Sequence, residues 1–420
     1  MSEVTRFRSV RLEDHREFVG DKVIHQIRTM ADKLRGSSVT YINATSYGGG
    51  VAEMLYSDIP IMRSVGIDAC WKVIAGSSQF FEVTKKFHNG LQGMSLELND
   101  EMAETYIAYN KMNAETLAPY TDYVVVHDPQ PAALIAFVPR RAGRWIWRCN
   151  IDLSTPQPKY WSFISRYLAL YHTRVFSLES YAKMASEIGP YAVIPPAIDP
   201  LSEKNKPLTD DEVHNVISRF GIDPYRPIIT QVSRFDPWKD PIGVIDVYRL
   251  VKKKVPSVQL VMVGSMATDD PEGPTYYDLT LRRADKDPDI HFCTGIRGVS
   301  DIEVNAIQRA SDVVLQKSLR EGFGLTVTEA LWKGKPVVGG NVGGIPLQVE
   351  DGKSGFLVET VKEAAEKTVY LLRHPRRAEE MGKEGREHVR KNFLITRKLK
   401  DYLRLFLELA WVDLWHGLAC

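Results

Sequence analysis

Arg320-Glu-Gly-Phe-Gly-Leu-Thr-Val-Thr-Glu-Ala330 is the stretch on which the reading of this chain turns. Before it, the apolar run Asp312-Val-Val-Leu-Gln316 has the residue types of a buried strand. After it, Leu325–Trp332 carries a helical pattern that Gly334 ends. A glycine turn from strand to helix leaves the first N–H groups of the helix unpaired and aimed into the crevice at the strand end. Such an end attracts a phosphate or a sugar hydroxyl. Glu321 sits at its mouth. Glu329 lies eight positions on, about two helical turns, and so on nearly the same face. Two acceptors beside an anion cradle suit a ligand with hydroxyls at both ends of a diphosphate, such as a sugar nucleotide. The spacing alone also occurs on solvated helices. It gains meaning only with Gly322, Phe323, Gly324 and Leu325 around it.

Outward from this unit the same alternation repeats. Short apolar strands fall at Val39–Asn43, Trp71–Ala75, Tyr123–His127, Trp145–Arg148, Val175–Leu178 and Ala192–Ile194. Further on they fall at Ile228–Val232, Gln259–Val263, Ile290–Cys293, Val313–Gln316 and Pro336–Val338. Amphipathic helices fill the gaps. This predicts an α/β fold with two doubly wound parallel sheets facing a cleft. With 420 residues, two domains are expected, 1–198 and 199–395. The proline-rich Pro195-Pro-Ala-Ile-Asp-Pro200 and the polar residues after it read as the connection. The last segment, 396–420, reads as a long helix with one apolar face. Interrupted by Arg404, Glu408 and Asp413, it is too polar to span a membrane.

The net charge of +1 gives no reason to invoke nucleic acid or an anionic membrane. Four scattered cysteines without a Cys-x-x-Cys pair argue for reduced thiols in the cytoplasm and against a zinc cage. The N-terminal residues lack the apolar core of a signal peptide.

Ligands of open α/β sheets bind beyond the carboxyl ends of the strands, and the remaining motifs all follow strands. Arg234 and Lys239 lie in Val232-Ser-Arg-Phe-Asp-Pro-Trp-Lys239. Two cations there can stabilise the extra charge on a departing diphosphate, more in the transition state than before it. Thr45-Ser-Tyr-Gly48-Gly-Gly-Val-Ala-Glu53 offers backbone N–H groups at Gly49 and Gly50 to a ligand. It is also compatible with a tight turn. It is neither a Walker loop nor a dinucleotide fingerprint. His127 and Asp128 end a buried strand, where they can bind sugar hydroxyls or, for Asp128, cap the next helix. Trp147-Arg-Cys-Asn-Ile-Asp-Leu-Ser154 brings Arg148, Asn150 and Asp152 to another strand end. Asp285-Lys-Asp-Pro-Asp289 has the spacing of a metal site but precedes a strand, and reads as a solvated turn. No metal and no cofactor are expected.

These motifs, with Gly339-Gly-Asn-Val-Gly-Gly-Ile-Pro346, resemble those of the retaining family-4 glycosyltransferases of the GT-B fold. The stretch around Arg148 is similar to the trehalose-forming branch, archaeal type, except that Asn150 stands where that branch has histidine. The resemblance implies that the first glutamate contacts donor-sugar hydroxyls and the second binds the nucleotide ribose. It implies Arg234 and Lys239 at the diphosphate, and a last helix crossing back to the first domain. The implied reaction joins glucose from ADP- or UDP-glucose to free glucose, giving α,α-trehalose, with a homodimer as the assembly to test. No obvious nucleophile is present. Retaining glycosidases need carboxylates about 5 Å apart, which two glutamates in separate roles do not provide. Front-face transfer is the implied route. Trehalose phosphorylase, another retaining hexosyltransferase, a nucleotide-sugar epimerase and a non-catalytic sensor remain alternatives.

Overall fold

A computed structural model of the chain describes residues 1–47, 49–117, 121–139, 141–264, 272–295 and 298–417, with side chains up to residue 410. It divides into two compact units. The first comprises Met1–Ala197 with Ile395–Cys420, and the second Ile198–Ala267 with Glu272–Leu394.

The first unit contains β1 (Ser2–Val4), β2 (Ser38–Asn43), β3 (Asp68–Val73), β4 (Tyr123–His127), β5 (Arg144–Arg148), β6 (Thr173–Phe176) and β7 (Tyr191–Val193). They form one sheet in the order β1-β3-β2-β4-β5-β6-β7. Every pair is parallel except β1 with β3. Parallel strands must be covered on both faces, so their side chains enter two cores. Along β5, Trp145 and Trp147 enter one core and Ile146 the other, the alternation a strand imposes.

The helix Ile395–Gly417 supplies Ile395, Leu399, Tyr402, Leu403 and Phe406 to the second of these cores. Their spacing of three and four makes a single stripe. Burying each contributes about 1.5–3 kcal/mol before entropy is counted. Polar bonds fix its register: Tyr123 donates to the Phe406 carbonyl at 2.9 Å, and Lys398 Nζ lies 2.5 Å from the Asp58 carboxylate.

The second unit contains β8 (Ile228–Val232), β9 (Gln259–Gly264), β10 (Ile290–Thr294), β11 (Val313–Gln316), β12 (Val337–Gly340) and β13 (Gly355–Val358). Their order is β10-β9-β8-β11-β12-β13, all parallel. The chain winds outward in both directions from the β8/β11 pair. In the first unit the equivalent reversal lies between β2 and β4. Crevices open beyond the carboxyl ends of the strands at such points.

Three details differ from the sequence reading. β1 and β13 were not anticipated, being an exposed three-residue edge and a four-residue run behind a glycine turn. β3 and β6 start earlier than their apolar runs, because pairing with β2 and β5 recruits Asp68 and Thr173. The stretch after Pro200 is no loose connection: Asn205 is 1% exposed and donates to the Asp199 carbonyl at 3.2 Å. Among the described residues no helix is long and apolar enough to cross a membrane.

Candidate active site

In the second unit the loops after β8 and β11 meet. Asp236 accepts from the Lys239 N–H at 3.1 Å and closes the short turn Pro237–Lys239. That turn delivers Lys239 Nζ to the Glu321 carboxylate, at 2.7 and 2.6 Å from its two oxygens. Ser318 Oγ donates to the same carboxylate at 3.1 Å. Lys317 Nζ reaches Asp240 at 2.5 Å, so the two loops are cross-braced twice. Asp240 adopts a left-handed conformation (φ 50°) and caps the helix Pro241–Lys252 by accepting from the Gly243 N–H at 3.0 Å. Arg234 is half-buried beside Asp236, at 3.5 Å.

Gly324 starts the helix Leu325–Trp332 at φ 87°, where a side chain would be strained and would press on Glu321. Phe323 is buried against Phe393, with ring centroids 5.6 Å apart. A Cβ at Gly344 would stand 2.6 Å from Phe323 Cα. The second glycine-rich turn therefore serves as a close-packed support for the Gly322–Leu325 loop. Glu329 is 0% exposed, and neither carboxylate oxygen has a hydrogen-bond partner among the described residues. Its contact is ionic, Lys204 Nζ at 3.8 Å. A buried acceptor pair of this kind is costly unless a ligand satisfies it.

In the first unit, Gly49 caps the helix Gly50–Ser64 with open space around its Cα, while Gly48 lies outside the described residues. His127 ends β4, Asp128 follows it, and Arg148 ends β5. Asp128, at φ 66°, caps no helix: its carboxylate accepts from the Asn150 N–H and amide at 2.8 and 3.1 Å. Arg148 is 1% exposed and donates to the Asn150 side-chain oxygen, to Ser177 Oγ and to the carbonyls of Phe176 and Ile194. That bond fixes the Asn150 amide, whose nitrogen then faces His127 Nδ1 at 3.3 Å. The histidine must accept there, so Nε2 carries its hydrogen. Burial, then the charges of Arg148 and Lys398, hold the imidazole well below its ordinary pKa, and it is neutral. Asp152 accepts from the Ser154 N–H at 2.8 Å. Asn150 accepts from Arg148 and offers its two amide hydrogens to Asp128 and His127, one donor more than a neutral imidazole has, so the departure from the histidine pattern changes the network as well as removing a titratable group.

Asp287 and Asp289 are engaged elsewhere, by Lys252 at 2.9 and 3.0 Å and by Arg226. Lys204, Lys317 and Ser318 were not singled out from sequence. Lys317 and Ser318 had a usable signal, since they directly follow the apolar run of β11.

Residues 215–388 match the family described as Glycosyl transferases group 1. A solved sucrose-phosphate synthase from Thermosynechococcus elongatus shares the fold, with a TM-score of 0.71 at 15% identity, over 90% of this chain and all of that one. The chain is thus a glycosyltransferase with the GT-B architecture. Residues 41–183 match a second family, Trehalose synthase, N-terminal domain. Trehalose synthase of Thermococcus litoralis is 53% identical, over 96% of this chain and 99% of its own length. This chain belongs to the trehalose synthase family. Trehalose phosphorylase of Pleurotus pulmonarius is more distant, 32% identical over 82% of this chain and 54% of that protein.

Proposed function

We propose that the protein transfers glucose from a nucleoside-diphosphate glucose, ADP- or UDP-glucose, to free glucose, forming α,α-trehalose reversibly in the cytoplasm. One observation carries the donor side. At the β8/β11 reversal the loop that carries Arg234 and Lys239 meets Glu321 through Lys239, just before a glycine-started helix that holds the orphaned acceptors of Glu329. Arg234 and Lys239 bind the diphosphate, Glu321 the sugar hydroxyls and Glu329 the ribose. Gly49, Gly50 and Gly322–Leu325 bring backbone close to the donor. Acceptor glucose binds near His127, Asp128 and Asn150, with Arg148 and Asp152 positioning that network.

The bond from the anomeric carbon to the phosphate oxygen breaks while the acceptor oxygen attacks on the same face. The acceptor proton passes to the departing oxygen. Arg234 and Lys239 stabilise the charge left on the diphosphate, and the remaining residues supply orientation.

The test offers ADP-, UDP- and GDP-glucose with free glucose and identifies the product. Trehalose and free nucleoside diphosphate are expected. Trehalose cleavage that needs inorganic phosphate and no nucleotide would replace this reading with phosphorolysis. Epimerised donor without acceptor would replace it with epimerisation.

A further inference from the structure

The residues after Pro200 look like a tether in sequence, yet the structure builds them into the second unit. Asn305, on the helix Asp301–Ala310, donates to the carbonyls of Glu203 and Lys206 at 2.9 Å each. Arg309, on the same helix, donates to the Asn205 and Lys206 carbonyls. Lys333 Nζ, just past the helix that carries Glu329, lies 3.0 Å from the Asn205 side-chain oxygen. Lys204 is the residue these bonds bracket. Its side chain, 14% exposed, places Nζ 3.8 Å from Glu329 and 3.7 Å from Asp301.

Glu329 cannot hold its place through hydrogen bonds of its own, since neither oxygen makes one among the described residues. A carboxylate with no solvent exposure and no hydrogen bond of its own is oriented by the opposite charge nearest to it. Lys204 is near enough to supply that charge and too far to consume a lone pair, which leaves the acceptors for a ligand.

We propose that Lys204 is a positioning residue for nucleotide recognition: it holds the Glu329 carboxylate aimed at the ribose hydroxyls of the donor. The inference rests on the reading that Glu329 takes the ribose. It assigns the bracketed stretch around Lys204 to the specificity apparatus for the nucleotide.

The experiment measures binding of a nucleoside diphosphate and its 2′,3′-dideoxy analogue to the intact protein, its Glu329→Gln variant, and Lys204→Met and Lys204→Arg variants. The intact protein should favour the ribose form by about tenfold or more, as a hydrogen bond to a charged group implies. Lys204→Met should lose that preference to the extent Glu329→Gln does, the double variant should lose no more, and Lys204→Arg should retain most of it. If Lys204→Met keeps the preference while Glu329→Gln loses it, the inference falls and the ribose role stands. Equal weakening toward both nucleotides would likewise overturn it, since that marks a merely structural lysine. If Glu329→Gln keeps the preference, the ribose reading fails and the inference with it.

Discussion

In the second unit Arg234 and Lys239 are partly exposed and paired by charge with Asp236 and Glu321; in the first, His127 and Arg148 are buried and bonded into the scaffold. Lys239 is 17% exposed and grips Glu321 from a neighbouring loop, a contact that a phosphate can compete for. Arg148 has its donors committed to two carbonyls, a hydroxyl and Asn150. One set can exchange partners with a ligand at little structural cost. The other holds a shape, and what it presents is the network of Asn150, Asp128 and neutral His127.

The sharpest break of this contrast is at the cations. Arg234→Ala or Lys239→Ala should lower turnover by two to three powers of ten, about 3–4 kcal/mol of transition-state stabilisation. The thermal midpoint should stay within a few degrees. Near-normal turnover in both variants would end the assignment of the diphosphate to these residues.

Arg148→Ala should do the reverse and cost folding first. It leaves the Phe176 and Ile194 carbonyls without this donor, a loss of about 3 kcal/mol. Thermal unfolding followed by circular dichroism reads it. An unchanged midpoint with reduced turnover would move Arg148 into the ligand-contacting set.

A smaller effect is the pH response of the first unit. His127 titrates below its ordinary value of 6.5 because of burial and the cations beside it. The unfolded chain therefore takes up the proton first. The stability tied to this group is intact above about pH 6.5 and declines as the pH falls towards the folded value. His127→Gln should flatten that decline in part, since His15 and His172 of the same unit are also lowered by burial. Superimposable stability curves from about pH 7.5 to about pH 5 would contradict it.

The smallest expected effect is none. Exhaustive chelation should leave turnover intact, since the proposed function assigns the diphosphate charge to Arg234 and Lys239. Loss in chelator, restored by manganese or magnesium, would reopen the question of how that charge is met.

Much of the fold was legible wherever an apolar run ends on a glycine. Strand β11, the turn at Gly322–Gly324 and the helix to Trp332 lie where the sequence places them, because burial and turn geometry agree there. Short edge strands carried no such agreement. In Arg144-Trp-Ile-Trp-Arg148 the pattern showed the strand but hid the fate of Arg148, since an arginine at a strand tip reads equally as ligand contact or clamp. Lys204 was illegible for another reason. Nothing in a polar stretch announces that three residues from distant helices will hydrogen-bond its backbone or flank it.

The return of the helix Ile395–Gly417 to the first unit has a consequence for how the chain is made. Asp58 meets Lys398 across 340 positions, and Tyr123 meets Phe406 across 283. Contacts so far apart in sequence form slowly and late. The described residues of the second unit all fall between Ile198 and Leu394. During synthesis it can fold while the first unit still lacks the helix residues that complete one of its two cores, among them the Phe406 ring stacked on Tyr123. The first half of the protein is thus the last to be finished, and for that interval a ready site for chaperones or aggregation.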